Sequence, residues 1–396
     1  MKRRDFIQQS SLASGLFMVP SFIKAFEGTI LKETKFKKLV IVQLSGGNDG
    51  LNTIVPYTND IYYKNRPEIA ISASDVVRIN STVGFHPGLL PMQRLYDKGY
   101  LSIINNVGYP NPSRSHFRST DIWHTASDSN KYLTSGWIGR YIEERGKKPY
   151  SAIEIDDSLS LMLKGKEMNG IATKNPKLLH GNMNTPYFKK VLKQQTDAHL
   201  SEHNLGYLYK TMIETKSSAK YIYETSRTFT SKKMYPQNPF GKQLKTTASF
   251  INSGLETQVY YVSMGGFDTH ANQINSQARL LEIYSKAMEV FVNDLDEQGN
   301  LCNTLILTFS EFGRRVEQNA ANGTDHGAAN NVFVIGKNLK KPGLYNEAPN
   351  LLNLDGNMDL EYTIDFRSIY ATILSKWLEV NSKEILNYQG EILDFI

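Results

Sequence analysis

LVIVQLSGGNDG, residues 39–50, begins as a run of mostly apolar side chains and ends in glycine and short polar residues. A nearly continuous apolar run of this length is typical of a strand buried on both faces, as found in parallel sheets covered by helices. The abrupt change at Ser45-Gly46-Gly47-Asn48-Asp49-Gly50 predicts that the strand ends in a turn-rich loop. This stretch therefore favours an α/β fold.

Three later stretches repeat the arrangement. Residues 101–107, 258–263 and 304–309 are each predicted to be strands that end in polar loops. A helix is predicted from about 113 to 123, and apolar residues recur at helical spacing between 280 and 295. Strands that alternate with helices predict a mostly parallel sheet with helices on both faces. We assign residues 36–396 to one such domain, with a polar, lysine-rich helical insertion at about 150–245.

Composition narrows the class of protein. The chain has 396 residues, 40% hydrophobic and 21% charged, which excludes a disordered or collagen-like protein. Its single cysteine, Cys302, excludes an internal disulfide framework and leaves Asp, Glu, His and Asn as the side chains that could bind a metal. The net charge of +6, without a basic stripe interleaved with aromatic residues, argues against a nucleic-acid partner.

Residues 1–26 have the pattern of an export signal. Lys2-Arg3-Arg4-Asp5-Phe6 places paired arginines before bulky apolar residues, and a moderately apolar segment follows. This twin-arginine pattern is excluded from the fold. It predicts the twin-arginine translocase as a partner during export, the periplasm or cell surface as destination, and membrane contact only through an uncleaved signal segment. Because that route carries folded proteins, it suits a protein that takes up a metal before export.

Polar side chains follow each predicted strand at its carboxyl end, where ligands gather in open α/β sheets. They are Asp49 after the first strand; Ser113, Ser115 and His116 after the second; Asp268 and His270 after the third; Glu311 after the fourth; and Asp325 and His326 in the following glycine-flanked loop. If the sheet is parallel, these groups converge on one edge. Carboxylates and imidazoles together predict a site for a divalent metal ion, with zinc, manganese and calcium as candidates.

Several candidates also have a simpler interpretation. Asp49 fits a turn former, and Asp268 with His270 fits a surface turn. Ser115 fits a helix N-cap, although the same position would place a nucleophilic hydroxyl where backbone N–H groups stabilise an anion. Asp325 and His326 favour a metal, because a flexible loop lets both side chains reach one ion.

Longer motifs resemble those of one family. They are Arg3-Arg4, LSGGNDGLNTIVPY (44–57), GYPNPSRSHFRSTDIW (108–123), GFDTHANQ (266–273), TFSEFGRR (308–315), GTDHG (323–327) and TIDFRSIYATIL (363–374). Together they resemble the twin-arginine-exported family called domain of unknown function 1501. That family is similar to the alkaline phosphatase and sulfatase superfamily, which implies an alkaline-phosphatase-like three-layer sandwich and metal-dependent hydrolysis.

The resemblance also implies roles for individual residues. It places Asp49, Asp268, His270, Glu311 and His326 at metal-binding positions and Ser115 or Ser113 at the nucleophile. The hypothesis of a hydrolase divides the ligands into one centre on Asp268, His270 and His326 and a second on Asp49 and Glu311, with Arg314 or Arg114 as a clamp for the anionic substrate. Two departures stand out. Phe312 occupies the place of a metal-binding histidine, so the second centre would be weak, missing or rebuilt from Glu311, Asp49 and either Asp325 or His116. Pro110 occupies the place of the modified residue of sulfatases, which argues against a formylglycine enzyme.

Two functions follow as hypotheses. The first is an exported metal-dependent hydrolase of phosphate or sulfate esters. The second is a catalytically degenerate binding or assembly protein on the same scaffold, which Phe312 and the polar insertion favour. The 22 tyrosines leave a third, a secreted polysaccharide-modifying protein.

Overall fold

Strands and helices alternate along most of the chain in the structure, a computed structural model that describes residues 36–193 and 203–396. The strands are β1 Lys38–Leu44, β2 Ile54–Val55, β3 Val77–Arg78, β4 Gly84–Phe85, β5 Leu101–Gly108, β6 Ala152–Glu154, β7 Ile171–Ala172, β8 Val259–Met264, β9 Thr304–Phe309, β10 Arg314–Gln318, β11 Thr324–His326, β12 Asn330–Ile335, β13 Gly343–Leu344 and β14 Ile364–Asp365. The α-helices are α1 Asp60–Asn65, α2 Leu90–Asp97, α3 His116–Thr125, α4 Trp137–Glu144, α5 Pro176–Asn182, α6 Pro186–Lys193, α7 His203–Ser226, α8 Pro239–Asn252, α9 Gln273–Glu297, α10 Phe366–Thr372 and α11 Ser382–Leu386.

Nine of these strands form the central sheet, in the order β13-β5-β12-β9-β1-β8-β6-β7, with β14 also paired to β5. The pairings are parallel except those of β12, which runs antiparallel to both β5 and β9. Leu39 of β1 is in register with Val259 of β8 on one side and with Leu305 of β9 on the other. The carboxyl ends of β1, β5, β8 and β9 therefore lie at one edge of the sheet.

Helices cover both faces of the sheet, which explains the apolar run of β1. Val40 and Val42 belong to a core closed by α8 and α9, whereas Leu39 and Ile41 belong to a core closed by α3, α4 and α10. All seven residues of β1 are buried, and each buried Val, Leu or Ile contributes roughly 1.5–3 kcal/mol of transfer free energy. The prediction of a mostly parallel sheet between two helical layers is confirmed.

Two small sheets lie beside the central one. Strands β2, β4 and β3 form the first, and β10 and β11 form an antiparallel pair in which Arg314 is in register with His326. This hairpin follows β9, and its last residue, His326, lies at the carboxyl edge of the central sheet.

The segment predicted as a helical insertion, about 150–245, holds α5, α6 and α7 and the start of α8. It also contributes β6 and β7 to the central sheet next to β8, where the sequence indicated no strong strand. The two strands have three and two residues, too few to show an apolar run. The described residues from Phe36 onward belong to one compact unit.

The predicted twin-arginine segment, residues 1–26, lies outside the described residues. Among the helices that the structure describes, none combines the length and apolar character that a membrane span requires.

Candidate metal centre at the carboxyl edge of the sheet

Side chains from three separate parts of the chain meet at the carboxyl edge of the sheet. His116 is the first residue of α3, which begins after the loop that leaves β5. Asp268 and His270 lie in the loop that leaves β8, and His326 is the last residue of β11. Because β5 and β8 end at the same edge, the two loops and the hairpin bring these four side chains together.

Ring nitrogens of three histidines converge on one carboxylate oxygen. Asp268 Oδ1 lies 3.0 Å from His270 Nε2, 3.2 Å from His326 Nε2 and 3.4 Å from His116 Nε2. The Nε2 atoms of His270 and His326 are 2.9 Å apart. The ligand atoms of His116, Asp268 and His326 all lie within 4.8 Å of one another.

The other nitrogen of each ring faces a hydrogen-bond acceptor. His116 Nδ1 is 2.9 Å from Glu311 Oε1, His326 Nδ1 is 2.7 Å from the Arg114 carbonyl oxygen, and His270 Nδ1 is 3.3 Å from Asp325 Oδ1. Carbonyl and carboxylate oxygens accept and do not donate, so a neutral ring carries its proton on Nδ1 and keeps a lone pair on Nε2. Three lone pairs then face one another beside the Asp268 carboxylate, and no ring can donate to its neighbour.

This donor set fits a divalent metal ion. Imidazole nitrogens with a carboxylate oxygen are common ligands of zinc and related ions, and metal-bound histidines usually hold their second nitrogen against a carboxylate or carbonyl. His116 Nε2 adds an independent sign, since it is buried and makes no hydrogen bond within the described ranges. The cluster is therefore suited to hold one ion on His116, Asp268 and His326, with His270 Nε2 close to the last two.

The electrostatics favour the metal-binding forms of Asp268 and His326 and oppose that of His116. Burial opposes ionisation of Asp268, but the hydrogen bond and the positive charge of Arg314, whose Nη2 is 2.7 Å away, lower the pKa of Asp268 to about 2. The hydrogen bond with Glu311 raises the pKa of His116, whereas burial lowers the pKa of His326. Metals bind the anionic carboxylate and the neutral imidazole. Asp268 and His326 already have those forms at neutral pH.

The model of a family described as "Protein of unknown function (DUF1501)" matches residues 100–393, which is well over half of the chain. The chain belongs to this family. The matched range includes all four converging residues of this DUF1501 protein. No curated protein matches it significantly.

Three solved structures illustrate the low level of similarity that this DUF1501 chain has to known folds. The C-terminal periplasmic domain of EcEptC from Escherichia coli, in complex with zinc, is 10% identical, with 76% of this chain and 72% of that chain covered and a TM-score of 0.34. The PsFucS1 sulfatase from Pseudoalteromonas sp. is 11% identical, with 81% and 66% covered and a TM-score of 0.36. The alkaline phosphatase from the Antarctic bacterium TAB5 is 10% identical, with 76% and 92% covered and a TM-score of 0.35. None of these likenesses decides the function of the chain.

Glu311 and Asp325, predicted as metal ligands, lie behind the histidines of the DUF1501 protein rather than among the converging atoms. Glu311 is buried and accepts hydrogen bonds from His116 and from the backbone N–H of Gly46, at 2.8 Å. Asp325 is exposed and accepts from His270 and from Asn319 Nδ2, at 3.2 Å. In this arrangement each carboxylate orients an imidazole and fixes its tautomer. Direct metal binding by Glu311 or Asp325 stays a prediction.

Asp49, also predicted as a ligand, is engaged by a cation of the chain itself. Its side chain is fully buried, with Arg66 Nη1 2.6 Å from Oδ2 and Nη2 3.1 Å from Oδ1. Gln273 Nε2 donates to Oδ2 at 2.6 Å, and the backbone N–H of Leu51 donates to Oδ1 at 3.1 Å. Both Asp49 oxygens therefore accept hydrogen bonds within the protein, so Asp49 has no free oxygen for the second centre predicted on Asp49 and Glu311. That centre stays a prediction.

Arg314, predicted to grip a substrate anion, instead ties the loops of the site together. It is buried, and its acceptors are the carbonyl oxygens of Gly46, Gly47, Phe267 and Thr324 and the carboxylate of Asp268. These acceptors belong to the loops after β1 and β8 and to β11. The prediction of an anion clamp is corrected to a structural cross-link that also holds Asp268 in place.

The predicted nucleophiles lie at the start of α3. Ser115 directly precedes His116, is exposed, and occupies the N-cap position without capping the helix through its side chain. Ser113 Oγ accepts the backbone N–H of Ser115 at 3.3 Å. Arg114 between them donates from Nε to Asp359 at 2.9 Å, so this alternative clamp is also engaged. The Ser115 hydroxyl remains available for chemistry.

Phe312 forms a wall of the cluster. Its ring centroid lies 4.8 Å from that of His116 and 4.7 Å from that of His326. The ring also packs on Gly47, where an added Cβ would lie 2.2 Å from Phe312 Cε2. A phenyl ring offers no ligand atom, so the place of the expected histidine is filled by packing, in agreement with a single ion.

His116 is the converging residue that the sequence did not predict as a ligand of this centre. It follows a buried strand and begins a helix, which places it at the carboxyl edge. The superfamily pattern assigns that helix start to the nucleophile, so the sequence indicated His116 only as a substitute ligand in the second centre. Its position directly after β5, at the edge where the other ligand-type residues lie, is the feature that identifies it as a ligand.

Proposed function

We propose that this chain binds one divalent metal ion on His116, Asp268, His270 and His326 and hydrolyses phosphate or sulfate esters. The observation that carries the proposal is the convergence of three Nε2 atoms on Asp268 Oδ1, with each ring held from behind by an acceptor. Of the candidate ions, the nitrogen-rich set favours zinc or manganese over calcium, which prefers oxygen ligands.

When bound, a divalent ion at this centre would lower the pKa of an attacking hydroxyl or water and stabilise negative charge on the ester. The residues of the chain supply the rest. Ser115 presents an exposed hydroxyl at the N-terminus of α3, where the helix dipole favours an anionic oxygen. Glu311 keeps His116 in one orientation, and Arg314 keeps Asp268 ionised.

Metal content and turnover of the full chain test this proposal separately. We expect one ion per folded chain by plasma mass spectrometry, background metal in His326→Ala, and turnover of an aryl phosphate or aryl sulfate that His326→Ala abolishes. Ser115→Ala should retain the metal and lose turnover by orders of magnitude. A folded wild-type protein without metal after exposure to zinc or manganese would refute the centre. Bound metal without turnover across the panel would refute the hydrolase alone.

A binding or assembly protein on a degenerate scaffold is the second candidate. Two observations favour it. Phe312 fills the place of an expected ligand, and Arg314 donates its hydrogen bonds to backbone carbonyls instead of to a substrate. It predicts bound metal, no ester turnover, and an intact cellular role in Ser115→Ala. Loss of that role in folded Ser115→Ala would count against it.

We further propose export by the twin-arginine route, on the Arg3-Arg4 pair and the apolar segment that follows. The double variant Arg3→Lys, Arg4→Lys should keep the protein in the cytoplasm. An unchanged exported fraction, measured by cell fractionation, would reject this route.

A further inference from the structure

The positive charge of the chain is concentrated in the helical insertion. Between Glu167 and Asp197 the sequence holds five lysines and no aspartate or glutamate. Residues 164–226, which extend this stretch through α7, contain ten lysines and five acidic residues, a net charge of +5. The whole chain has a net charge of +6, so the rest of it contributes only +1. The basic character of the protein is therefore a local property of one segment.

Both short helices of this segment, α5 and α6, pack against α7 with one side and face outward with the other. In α5, the ring of His180 stacks on that of Tyr223 in α7, with centroids 4.7 Å apart. In α6, Phe188 is partly buried, whereas Tyr187 and Lys190, which lie one turn apart, are exposed. The outward sides of the two helices belong to one layer on α7.

The outward side of α5 and α6, here called the lysine face, combines cations with large apolar side chains. Its exposed residues are Lys177, Leu178, Tyr187, Lys189 and Lys190. Leu178 is 61% exposed and Tyr187 is 79% exposed. Lysines beside exposed apolar side chains are typical of helices that lie in the interface of a membrane, where tyrosine is also enriched. A soluble polyanion needs the cations alone.

Neighbouring carboxylates leave the lysine face charged. Asp156 and Asp157 each have an oxygen 2.9 Å from the Nζ atom of Lys174, and Glu224 has one 3.9 Å from that of Lys220. These carboxylates are thus paired with lysines outside the face. Among the residues that the structure describes, no carboxylate forms an ion pair with a lysine of the face itself. The face therefore presents three unneutralised cations to a partner.

We propose that the lysine face binds the surface of a membrane that contains anionic lipids. The negative potential of such a surface attracts the lysines, and Leu178 and Tyr187 would enter the boundary between headgroups and acyl chains. This contact is separate from any contact that residues 1–26 make. It goes beyond the proposed function, because it needs neither the metal centre nor ester hydrolysis.

Co-sedimentation of the full chain with lipid vesicles tests this inference. The vesicles contain either phosphatidylcholine alone or phosphatidylcholine with about one third phosphatidylglycerol. We expect binding to the anionic vesicles only, and a loss of affinity of about 100-fold when Lys177, Lys189 and Lys190 are all replaced by Glu. Residues 1–26 are present in every variant, so their own contribution to binding cancels in the comparison.

A matched control reverses the same number of charges elsewhere. Lys64, Lys340 and Lys383 are exposed, lie outside residues 164–226 and form no ion pair among the described residues. Replacing all three by Glu gives the same net charge as the first triple variant and should leave vesicle binding within a few-fold of wild type. An equal loss of binding in both triple variants, or no loss in the first, would overturn the proposal.

A second variant tests whether the partner is a membrane. Leu178→Ser with Tyr187→Ser keeps the charge and should weaken vesicle binding about tenfold, because it removes the side chains that enter the interface. An unchanged affinity of this variant, together with equally tight binding of wild type to soluble polyphosphate, would identify a polyanion instead and overturn the proposal. His326→Ala should bind vesicles as wild type does, so failure of this inference and failure of the metal centre are distinguishable.

Discussion

Asp49 and Asp268 both follow buried strands at the same edge of the sheet, but they have opposite surroundings. The Asp49 side chain is fully buried, and Arg66, Gln273 and backbone N–H groups donate to its oxygens. The Asp268 side chain is 48% exposed and gathers three imidazole nitrogens around one oxygen. The same residue type at equivalent positions has therefore become a buried structural anion in one loop and the centre of a candidate metal site in the other.

The partners explain the difference. Arg66 is a permanent cation with several N–H donors, so its pairing with Asp49 is complete within the protein. Neutral imidazoles offer lone pairs, and a cluster of lone pairs with a carboxylate is complete only with a cation from outside. A strand-end carboxylate is thus structural or functional according to the groups that tertiary contacts bring to it.

The largest expected effect is on stability at Asp49. Asp49→Asn leaves Arg66 buried without its counter-charge, so we expect the free energy of unfolding to fall by about 3–5 kcal/mol. Asp268→Asn, at a half-exposed site, should cost far less stability and lower the metal content. Urea unfolding and metal per folded chain measure the two quantities.

A paired replacement controls for a variant that does not fold. Asp49→Leu with Arg66→Met removes both charges and should recover most of the lost stability. If the folded double variant lost its metal, Asp49 would take part in metal binding. If Asp268→Asn lowered the stability as much as Asp49→Asn does, Asp268 would be as structural as Asp49. Either result would contradict the difference drawn between the two loops.

Glu154 is a buried carboxylate that has neither the arginine partner of Asp49 nor the histidine partners of Asp268. Burial raises its pKa to about 7 from 4.5, against the hydrogen bond from the Ser160 backbone N–H. The folded state therefore binds this proton more tightly than the unfolded chain, so the stabilisation is present below pH 4.5 and is lost as the pH rises to 7. The loss amounts to about 3 kcal/mol.

Glu154→Gln should remove that part of the pH dependence and be the more stable protein at pH 8. Chemical unfolding of both proteins at pH 5 and pH 8, with a chelator present, measures the difference. Parallel pH profiles for variant and wild type would contradict the assignment.

The smallest expected effect concerns the acceptors behind the histidines. Glu311→Gln should weaken metal affinity about 10- to 100-fold, because Glu311 is buried and orients His116. Asp325→Asn should have a smaller effect, since Asp325 is exposed and its amide replacement still accepts from His270 at 3.3 Å. Competition with a chromophoric chelator measures the metal affinity of each variant. Equal losses of affinity would show that burial of the acceptor does not affect how well it orients its histidine.

The sheet was largely predictable because burial on both faces leaves a continuous apolar run in the sequence. Residues 101–107 and 304–309 were predicted close to the observed bounds of β5 and β9. Strands β6 and β7 were not predicted, because strands of three and two residues are too short to show an apolar run or an alternation of apolar and polar residues. The convergence of Asp268, His270 and His326 followed from the parallel sheet, which places their loops at one edge.

The family motifs, the α/β class and the edge of the sheet where ligand-type side chains gather could be read from the order of residues, since they depend on periodicity and on loops that directly follow strands. Which of those side chains face one another depends on the folded chain. Arg66 reaches Asp49 from 17 residues away, Glu311 reaches His116 from 195 residues away, and Arg314 donates to carbonyl oxygens of three backbone segments. Such pairings depend on distances between atoms in space, which the order of residues along the chain does not record.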